Sequence, residues 1–332
     1  MKEQDRPVIN KEQINRFFSS YYSEWRHIQI LGVEKKLKTK YEFYSDIVEN
    51  INYSDIEADE KTIAQEISNG LMFEAIQYSL QYIEDLFALI NAAKKPNFFI
   101  RSIIQYNAGK VDHAIRTFSI KRKNICECFH FPYFPDEENL TEQELEVQNV
   151  INESVDRLGN IIHELVEFYK KYQFFYNQYK HGLSIALRPY HNWTPEQVEE
   201  DKKGIHGQSP IVALDSLNFK DAPKNQYGNT GYLLMPCASP IIMPHLNCLQ
   251  TENNLLRFVM SPPDMSINVM VDVAKKCKRC IHLLIHNFLQ SVNEESPLKL
   301  RLPSPDEQDV FVFDFPVIED VSAGNSNLSA GL

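Results

Sequence analysis

Glycine is scarce in this chain, and the glycine-rich motifs of common enzyme families are missing with it. Only 11 of the 332 residues are glycine. The sequence contains no Walker phosphate loop, no Gly-x-Gly-x-x-Gly dinucleotide fingerprint and no Gly-x-Ser-x-Gly nucleophile elbow. These absences exclude the usual nucleotide-binding, dinucleotide-binding and hydrolase classes, although they do not exclude an enzyme of an unusual kind.

Long apolar runs are missing as well. Residues 1–7 are polar or charged after the initial methionine and precede no apolar segment, so no secretory signal is predicted. No stretch approaches the roughly 18 apolar residues of a membrane-spanning helix. The sequence therefore predicts a cytoplasmic protein without membrane contact, in which the six cysteines are reduced thiols.

Positive charge is also in deficit, because 34 basic residues face 45 acidic ones and the net charge is −11. Phosphate contact needs local positive charge, so the total does not favour nucleic-acid binding over an extended surface. Two local clusters of basic residues occur despite the negative net charge. They are Lys110, Arg116, Lys121, Arg122 and Lys123, and further on Lys275, Lys276, Lys278 and Arg279. We interpret both clusters as solvated helix faces or ends.

Apolar residues at spacings of three and four dominate the first 190 residues and predict helices. Residues 8–54 are predicted to form two helices with a break near Leu31-Gly32, and Trp25 belongs to the core stripe of the first. A helix of about thirty residues follows and ends at Lys94-Lys95-Pro96. Residues 98–118 are predicted to form another helix, and residues 120–140 to be irregular.

The fifth predicted helix is the longest and begins at a capping box. In this motif the side chains of Thr141 and Glu144 each accept a hydrogen bond from the backbone N–H of the other residue. Gly182 and Pro189 limit its extent. Its apolar seam alternates steps of four and three: Ile151, Val155, Leu158, Ile162, Leu165, Tyr169, Tyr172, Tyr176, Tyr179 and Leu183. Such a seam needs a partner surface, so we predict a mainly α protein with a helical bundle over residues 1–190.

The composition changes after Pro189, and residues 191–321 are predicted to form a smaller α+β domain. One strong helix at about Asp264–Gln290 interrupts the strands, and residues 322–332 are predicted to be a disordered tail. The predicted strands lie between Pro-, Asn- and Gly-rich turns: Ile211–Leu214, Tyr232–Met235, Leu255–Met260 and Val310–Phe315.

Three groups of cysteines and histidines invite a metal or redox interpretation. Cys126, Cys128 and His130 lack a clear second ligand pair nearby. The pair Cys277 and Cys280 lies in the middle of a helix on an apolar stripe, where a redox-active pair is unusual. His282 and His286 are four residues apart, but the glutamate of a zinc-protease helix is missing between them. We predict buried structural side chains in all three groups, and no metal or cofactor.

The best candidate for chemistry is the end of the long helix, Tyr176-Asn177-Gln178-Tyr179-Lys180-His181-Gly182. Asn177 and His181 are four residues apart, so they share a helix face that is predicted to point away from the seam. His181 could act as a general acid or base, Asn177 could orient a phosphate or hydroxyl, and Lys180 could neutralise charge. The alternative is a helix end with ordinary exposed polar residues.

A helical bundle with this late motif resembles the HEPN superfamily, all-α domains of toxin, phage-defence and RNA-processing proteins. The resemblance covers about residues 60–190. It implies metal-independent RNA cleavage in a composite site formed across a homodimer. The typical motif has an arginine four to six residues before the histidine, whereas residues 175–177 here are Phe, Tyr and Asn. Only Asn177 and His181 carry over, and Lys180 or Arg188 would have to replace the arginine.

Arg157 and His163 satisfy the bare spacing of that motif, but the pair lies in the middle of the helix, and we interpret it as chance. The first hypothesis is therefore a divergent HEPN-like protein that binds RNA or cleaves it as an endoribonuclease in a defence or toxin setting. The second hypothesis is a non-catalytic interaction protein that binds another macromolecule through its helical bundle.

Overall fold

The computed structural model describes residues 9–39, 42, 44, 60–133, 141–181, 212–218, 246–250, 255–260, 266–293, 299–303 and 310–314. Only the backbone is described for some of these residues. They include residues 177–181 and every strand except Lys299–Pro303. The chain divides into two compact units. Unit 1 comprises Met1–His27, Gln81–Glu167 and Val273–Leu332, and unit 2 comprises Ile28–Leu80 and Phe168–Asp272.

Helices make up most of the described chain, which confirms the predicted mainly α fold. They are α1 (Lys11–Ser20), α2 (Trp25–Lys38), α3 (Glu60–Ala93), α4 (Phe99–Ile104), α5 (Ala108–Arg116), α6 (Arg122–Phe129), α7 (Glu142–His181) and α8 (Ile267–Asn293). A 3₁₀ turn at Pro96–Phe98 separates α3 from α4.

The strands form two small antiparallel sheets. They are β1 (Val212–Asn218), β2 (Leu246–Gln250), β3 (Leu255–Met260), β4 (Lys299–Pro303) and β5 (Val310–Asp314). In unit 2 the order is β1-β3-β2, with a register shift between Leu214 and Leu217. In unit 1 β4 pairs with β5. The predicted strand at Tyr232–Met235, the domain boundary at residue 190 and the predicted tail at 322–332 lie outside the described residues.

The start of the long helix α7 was predicted correctly. Its capping box is present: the backbone N–H of Thr141 donates to Glu144 Oε2 at 2.7 Å, and that of Glu144 donates to Thr141 Oγ1 at 3.3 Å. The helix ends at His181, immediately before Gly182. The described side chains of the seam are all buried, from Ile151 to Tyr176. Tyr179 and Leu183 fall outside the described side chains.

The predicted break at Leu31-Gly32 was wrong, because both residues lie inside α2. The break falls instead between Ser20 and Trp25, where Tyr21 is extended. The hydroxyl of Tyr82 on α3 donates to the backbone carbonyl of Ser23 at 2.7 Å and so stabilises this turn. A contact between residues so distant in sequence has no local signal.

Two further helix boundaries differ from the prediction. The single helix over 98–118 is in fact α4 and α5, because the Asn107 side chain accepts from the backbone N–H of Lys110 at 3.0 Å and caps a new helix. The stretch predicted to be irregular contains α6. That helix ends at Phe129, and the next residue, His130, has a positive φ of 57° that stops the helix. The long helix is therefore the seventh described helix and not the fifth.

The aromatic core of unit 1 is centred on Phe288 of α8. Its ring centroid lies 5.0 Å from that of Phe99, 5.1 Å from that of His130 and 6.0 Å from that of Phe18. Phe288 has no exposed surface. Helix α8, predicted as part of the C-terminal domain, thus packs on residues of α1 and α4.

The same helix contacts strand β4 through Asn287. The side-chain amide of Asn287 makes the two hydrogen bonds that a residue of a neighbouring strand would make. Its Nδ2 donates to the carbonyl of Arg301 at 3.2 Å, and its Oδ1 accepts from the Arg301 backbone N–H at 2.9 Å. Asn287 is 1% exposed. Both backbone groups of Arg301 on this strand edge therefore depend on one buried amide.

We expect Asn287→Ala to lower the free energy of unfolding by about 2–4 kcal/mol, because it removes two hydrogen bonds and leaves buried backbone groups unpaired. Urea unfolding of the variant and the wild type measures this loss. Asn293→Ala on the same helix is the matched control, since Asn293 makes only exposed hydrogen bonds with Asn15. Equal losses in the two variants would show that the amide does not hold the strand.

Candidate functional site

The predicted site lies at the C-terminal end of α7. The backbone is helical through His181, so Asn177 and His181 are one helical turn apart and Lys180 lies beside them in sequence. The side chains of Asn177, Lys180 and His181 lie outside the part of the chain that the structure describes. Their placement along one helix agrees with the prediction, and the site itself stays a prediction.

The second pair with HEPN-like spacing, Arg157 and His163, lies in the middle of α7. Arg157 is engaged on its own helix, where its Nη2 donates to Ser154 Oγ at 3.1 Å and its Nη1 lies 3.6 Å from Glu153 Oε2. His163 is exposed. This geometry agrees with the interpretation that the spacing arises by chance, and it makes His163 a suitable control residue.

A polar cluster that sequence reasoning missed lies in unit 1, where the turn before α2 meets the middle of α8. We call it the Glu24 cluster. Glu24 Oε1 lies 3.1 Å from Lys278 Nζ and 3.6 Å from His282 Nε2. Ser23 Oγ lies 3.3 Å from the same His282 Nε2. His27 lies on the first turn of α2, three residues after Glu24.

The Glu24 cluster contains one carboxylate, of Glu24, and one ammonium group, of Lys278, and their opposite charges offset each other. The hydrogen bond from Lys278 lowers the pKa of Glu24, so this carboxyl is ionised at neutral pH. Burial lowers the pKa of His282 and also that of His27, so both imidazoles are neutral there. Lys278 lowers the pKa of both histidines further, because it disfavours a second positive charge nearby.

The hydrogen-bond pattern limits what the Glu24 cluster can do. In a serine nucleophile triad the carboxylate binds the imidazole nitrogen opposite the serine. Here Ser23 and Glu24 both approach Nε2 of His282. The cluster therefore lacks the geometry of a triad that activates Ser23.

A second ion pair lies near the start of α2. Arg26 Nε is 3.3 Å from Asp85 Oδ2 of α3. Burial raises the pKa of Asp85 even though Arg26 acts in the opposite direction. Asp85 in turn adds to burial in raising the pKa of Tyr21. The ion pair therefore joins α2 to α3 near the turn at Ser23.

The four cysteines whose side chains are described are buried, as predicted from the sequence. Cys126, Cys128, Cys277 and Cys280 are free thiols in the core. Burial raises the pKa of Cys126 to about 12 and that of Cys128 to about 11, so these thiols are protonated at neutral pH and unreactive. The histidines of α8 are used separately, since His286 Nε2 lies 2.7 Å from the carbonyl of Lys299. Among the described residues no group of three or more His, Cys, Asp or Glu side chains could hold a metal ion.

His130 is the most perturbed histidine in the described chain. Burial lowers its pKa to about 4 from an ordinary value of 6.5, while a hydrogen bond to the backbone of Ala93 acts in the opposite direction. Its Nε2 is buried and has no described partner. The folded protein therefore holds this imidazole neutral well below pH 6.

We expect His130 to make unfolding easier in acid. Between pH 6.5 and 4 the unfolded chain binds a proton at His130 that the folded protein does not bind, so stability is full above 6.5 and falls as the pH drops. The loss is about 2–3 kcal/mol at pH 4.5. His130→Asn, which tolerates the positive φ, should lack this component. Urea unfolding at pH 7 and 4.5 tests it, and equal pH dependence in both proteins would contradict it.

Comparison with protein-family models, with curated proteins and with solved structures finds no match for this chain. No helix in the described part of the chain is both long and apolar enough to cross a membrane.

Proposed function

We propose that this chain is a divergent HEPN-like protein that acts on RNA without a metal ion, in a defence or toxin setting. One observation carries the proposal: α7 is a continuous helix with a buried seam, and it ends at His181 with Asn177 one turn before. The motif histidine of the resembled family takes a corresponding place late in its bundle. The chain lacks the motif arginine, and Lys180 takes over part of its role.

The proposed reaction is a transesterification within the RNA strand. His181 removes the proton of a ribose 2′-hydroxyl, whose oxygen attacks the adjacent phosphorus while the bond to the 5′-oxygen breaks. Lys180 stabilises the extra negative charge on the phosphate, and Asn177 orients it. The departing 5′-oxygen takes up a proton, and the products are a 2′,3′-cyclic phosphate and a 5′-hydroxyl.

A homodimer completes this proposal, because a second His181 would supply the proton for the departing oxygen. Light scattering on the purified protein tests the oligomeric state directly. A monomer at the concentrations used for the cleavage assay would remove this second histidine from the mechanism.

The experiment that tests the function is incubation of single-stranded RNA with the wild type and with His181→Ala. We expect cleavage by the wild type and cleavage slower by about 10²-fold or more by the variant. Intact RNA with both proteins, or equal cleavage by both, would exclude a nuclease that uses this motif.

A second candidate function is binding of another macromolecule without catalysis. It is favoured by a cavity of about 330 Å³ in unit 1, lined by residues that include Ile14, Ile100, Ile104 and Arg101. Ile104 is 78% exposed, which is unusual for such a large apolar side chain. If the wild type leaves RNA intact and Ile104→Ser changes its self-association, this second function is the better one.

A further inference from the structure

Two large aromatic side chains are exposed side by side at the turn before α2. Tyr22 is 59% exposed and Trp25 is 51% exposed, although Trp25 was predicted to lie in the core. Their ring centroids lie 6.4 Å apart with the planes tilted by 35°. Each ring carries one polar group, but most of its area is apolar and is usually buried. The exposed pair is a surface suited to a flat apolar partner.

The aromatic pair flanks two residues of the Glu24 cluster in the sequence. Ser23 and Glu24 lie between Tyr22 and Trp25 and contact His282 and Lys278 of α8. The two aromatic residues and the two residues that contact α8 therefore belong to one turn.

The charged groups that shift the pKa values of His27 and His282 are mainly positive. The positive charges of Lys278, Lys275 and Arg301 lower the pKa of one or both histidines of the Glu24 cluster. Among the described groups, Glu24 is the one carboxylate that raises these pKa values. Lys275 is exposed. This local excess of positive charge contrasts with the net charge of −11 for the whole chain. A polyanion would be repelled by much of the surface and attracted here.

We propose that Tyr22 and Trp25 form a stacking platform for the unpaired bases of a single-stranded nucleic acid, whose phosphates contact Lys275 and Lys278. Proteins that bind single strands combine stacked aromatic side chains with positive charge along the backbone path. Every base offers a flat face, so such a platform is tolerant of sequence. A protein partner would use the aromatic rings equally well but would not require the adjacent cations.

The platform contains none of Asn177, Lys180 and His181, so it is a binding surface beyond the proposed cleavage site. Its failure and the failure of the cleavage proposal can be told apart. His181→Ala should slow cleavage by about 10²-fold or more and leave the platform intact. A deoxyribose oligonucleotide has no 2′-hydroxyl and should bind to the platform without being cleaved.

The test is fluorescence anisotropy of a labelled single-stranded oligodeoxythymidine of about 12 nucleotides, a length within the usual range of one binding site. We expect Trp25→Ala and Tyr22→Ala each to weaken binding about tenfold or more, the loss of one stacked base. Trp25→Phe keeps a flat ring and should retain most of the affinity. Tyr106→Ala is the matched control, because Tyr106 is 49% exposed elsewhere in unit 1.

The ionic part of the proposal is tested by salt dependence. Lys275→Gln is preferable to a change at Lys278, since Lys278 also binds Glu24. Each phosphate contact contributes about 0.7 to the slope of log affinity against log salt for a single strand. We expect Lys275→Gln to reduce the slope by about that amount and Lys123→Gln, at another exposed lysine, to leave it unchanged.

Three results would overturn the proposal. The first is no binding of the oligonucleotide by folded wild-type protein at low salt. The second is unchanged affinity in Trp25→Ala and Tyr22→Ala. The third is a change in self-association, and none in oligonucleotide binding, when Trp25 is replaced, which would make the aromatic pair a protein interface. Thermal unfolding of each variant verifies that it is folded, and Trp25→Phe supplies the comparison if Trp25→Ala does not fold.

Discussion

Phe288→Ala should lower the free energy of unfolding by about 3–5 kcal/mol, the usual cost of removing a fully buried aromatic ring. Phe288 has no exposed surface, and its ring contacts Phe18, Phe99 and His130 from three other parts of unit 1. Truncation would leave a cavity among groups that cannot all move to fill it. Urea unfolding followed by circular dichroism measures the change.

Phe98→Ala provides the matched control for this prediction. Phe98 carries the same side chain next to Phe99 in sequence, but it is 39% exposed. Its truncation should cost less than about 1 kcal/mol, as is usual for a surface position. Similar losses in both variants would mean that the aromatic cluster around Phe288 is not the core of unit 1.

His181→Ala should reduce RNA cleavage about 10²- to 10⁴-fold, the usual contribution of a general acid or base. Lys180→Ala should cause a smaller loss, because an amine contributes charge but no fixed two-point contact. Initial rates on a labelled single-stranded RNA, measured in excess EDTA, give both values. EDTA removes any contribution of divalent metal ions to the rate.

His163→Ala is the control for the histidine prediction, since His163 is exposed on the same helix and belongs to the spacing that we interpret as chance. It should cleave RNA at the wild-type rate. If His163→Ala and not His181→Ala lost activity, the motif would have been assigned to the wrong pair of residues.

The parts of the fold that follow from local patterns could be predicted from the sequence. Helix α7 is the clearest case, because its capping box at Thr141 and its apolar seam both depend on residues that are close together in the sequence. The end of α3 before Pro96 has a similarly local cause. The mainly α class follows from several such segments taken together.

Tertiary contacts decided what the sequence could not predict. The turn between α1 and α2 depends on Tyr82, which lies 59 residues from its partner Ser23. The Glu24 cluster joins Ser23 to His282 across 259 residues. The apolar periodicity that placed Trp25 in the core was also misleading, because periodicity identifies a face of a helix but not whether that face has a partner.

The candidate site was only partly accessible to sequence reasoning. The order Asn177, Lys180, His181 at a helix end could be read directly, since it depends on helix length alone. The exposed ring pair and its neighbouring cations could not, because they meet through α8. The local signals of that cluster were His282 and the basic residues noted on the same helix, which are Lys275, Lys276, Lys278 and Arg279.

The most direct test of the proposed function compares one sequence as RNA and as DNA, each incubated with wild-type protein in excess EDTA. Cleavage through the 2′-hydroxyl predicts that the RNA is cut, that its downstream products carry 5′-hydroxyl ends, and that the DNA stays intact. Intact RNA, or equal cleavage of RNA and DNA, would contradict the account.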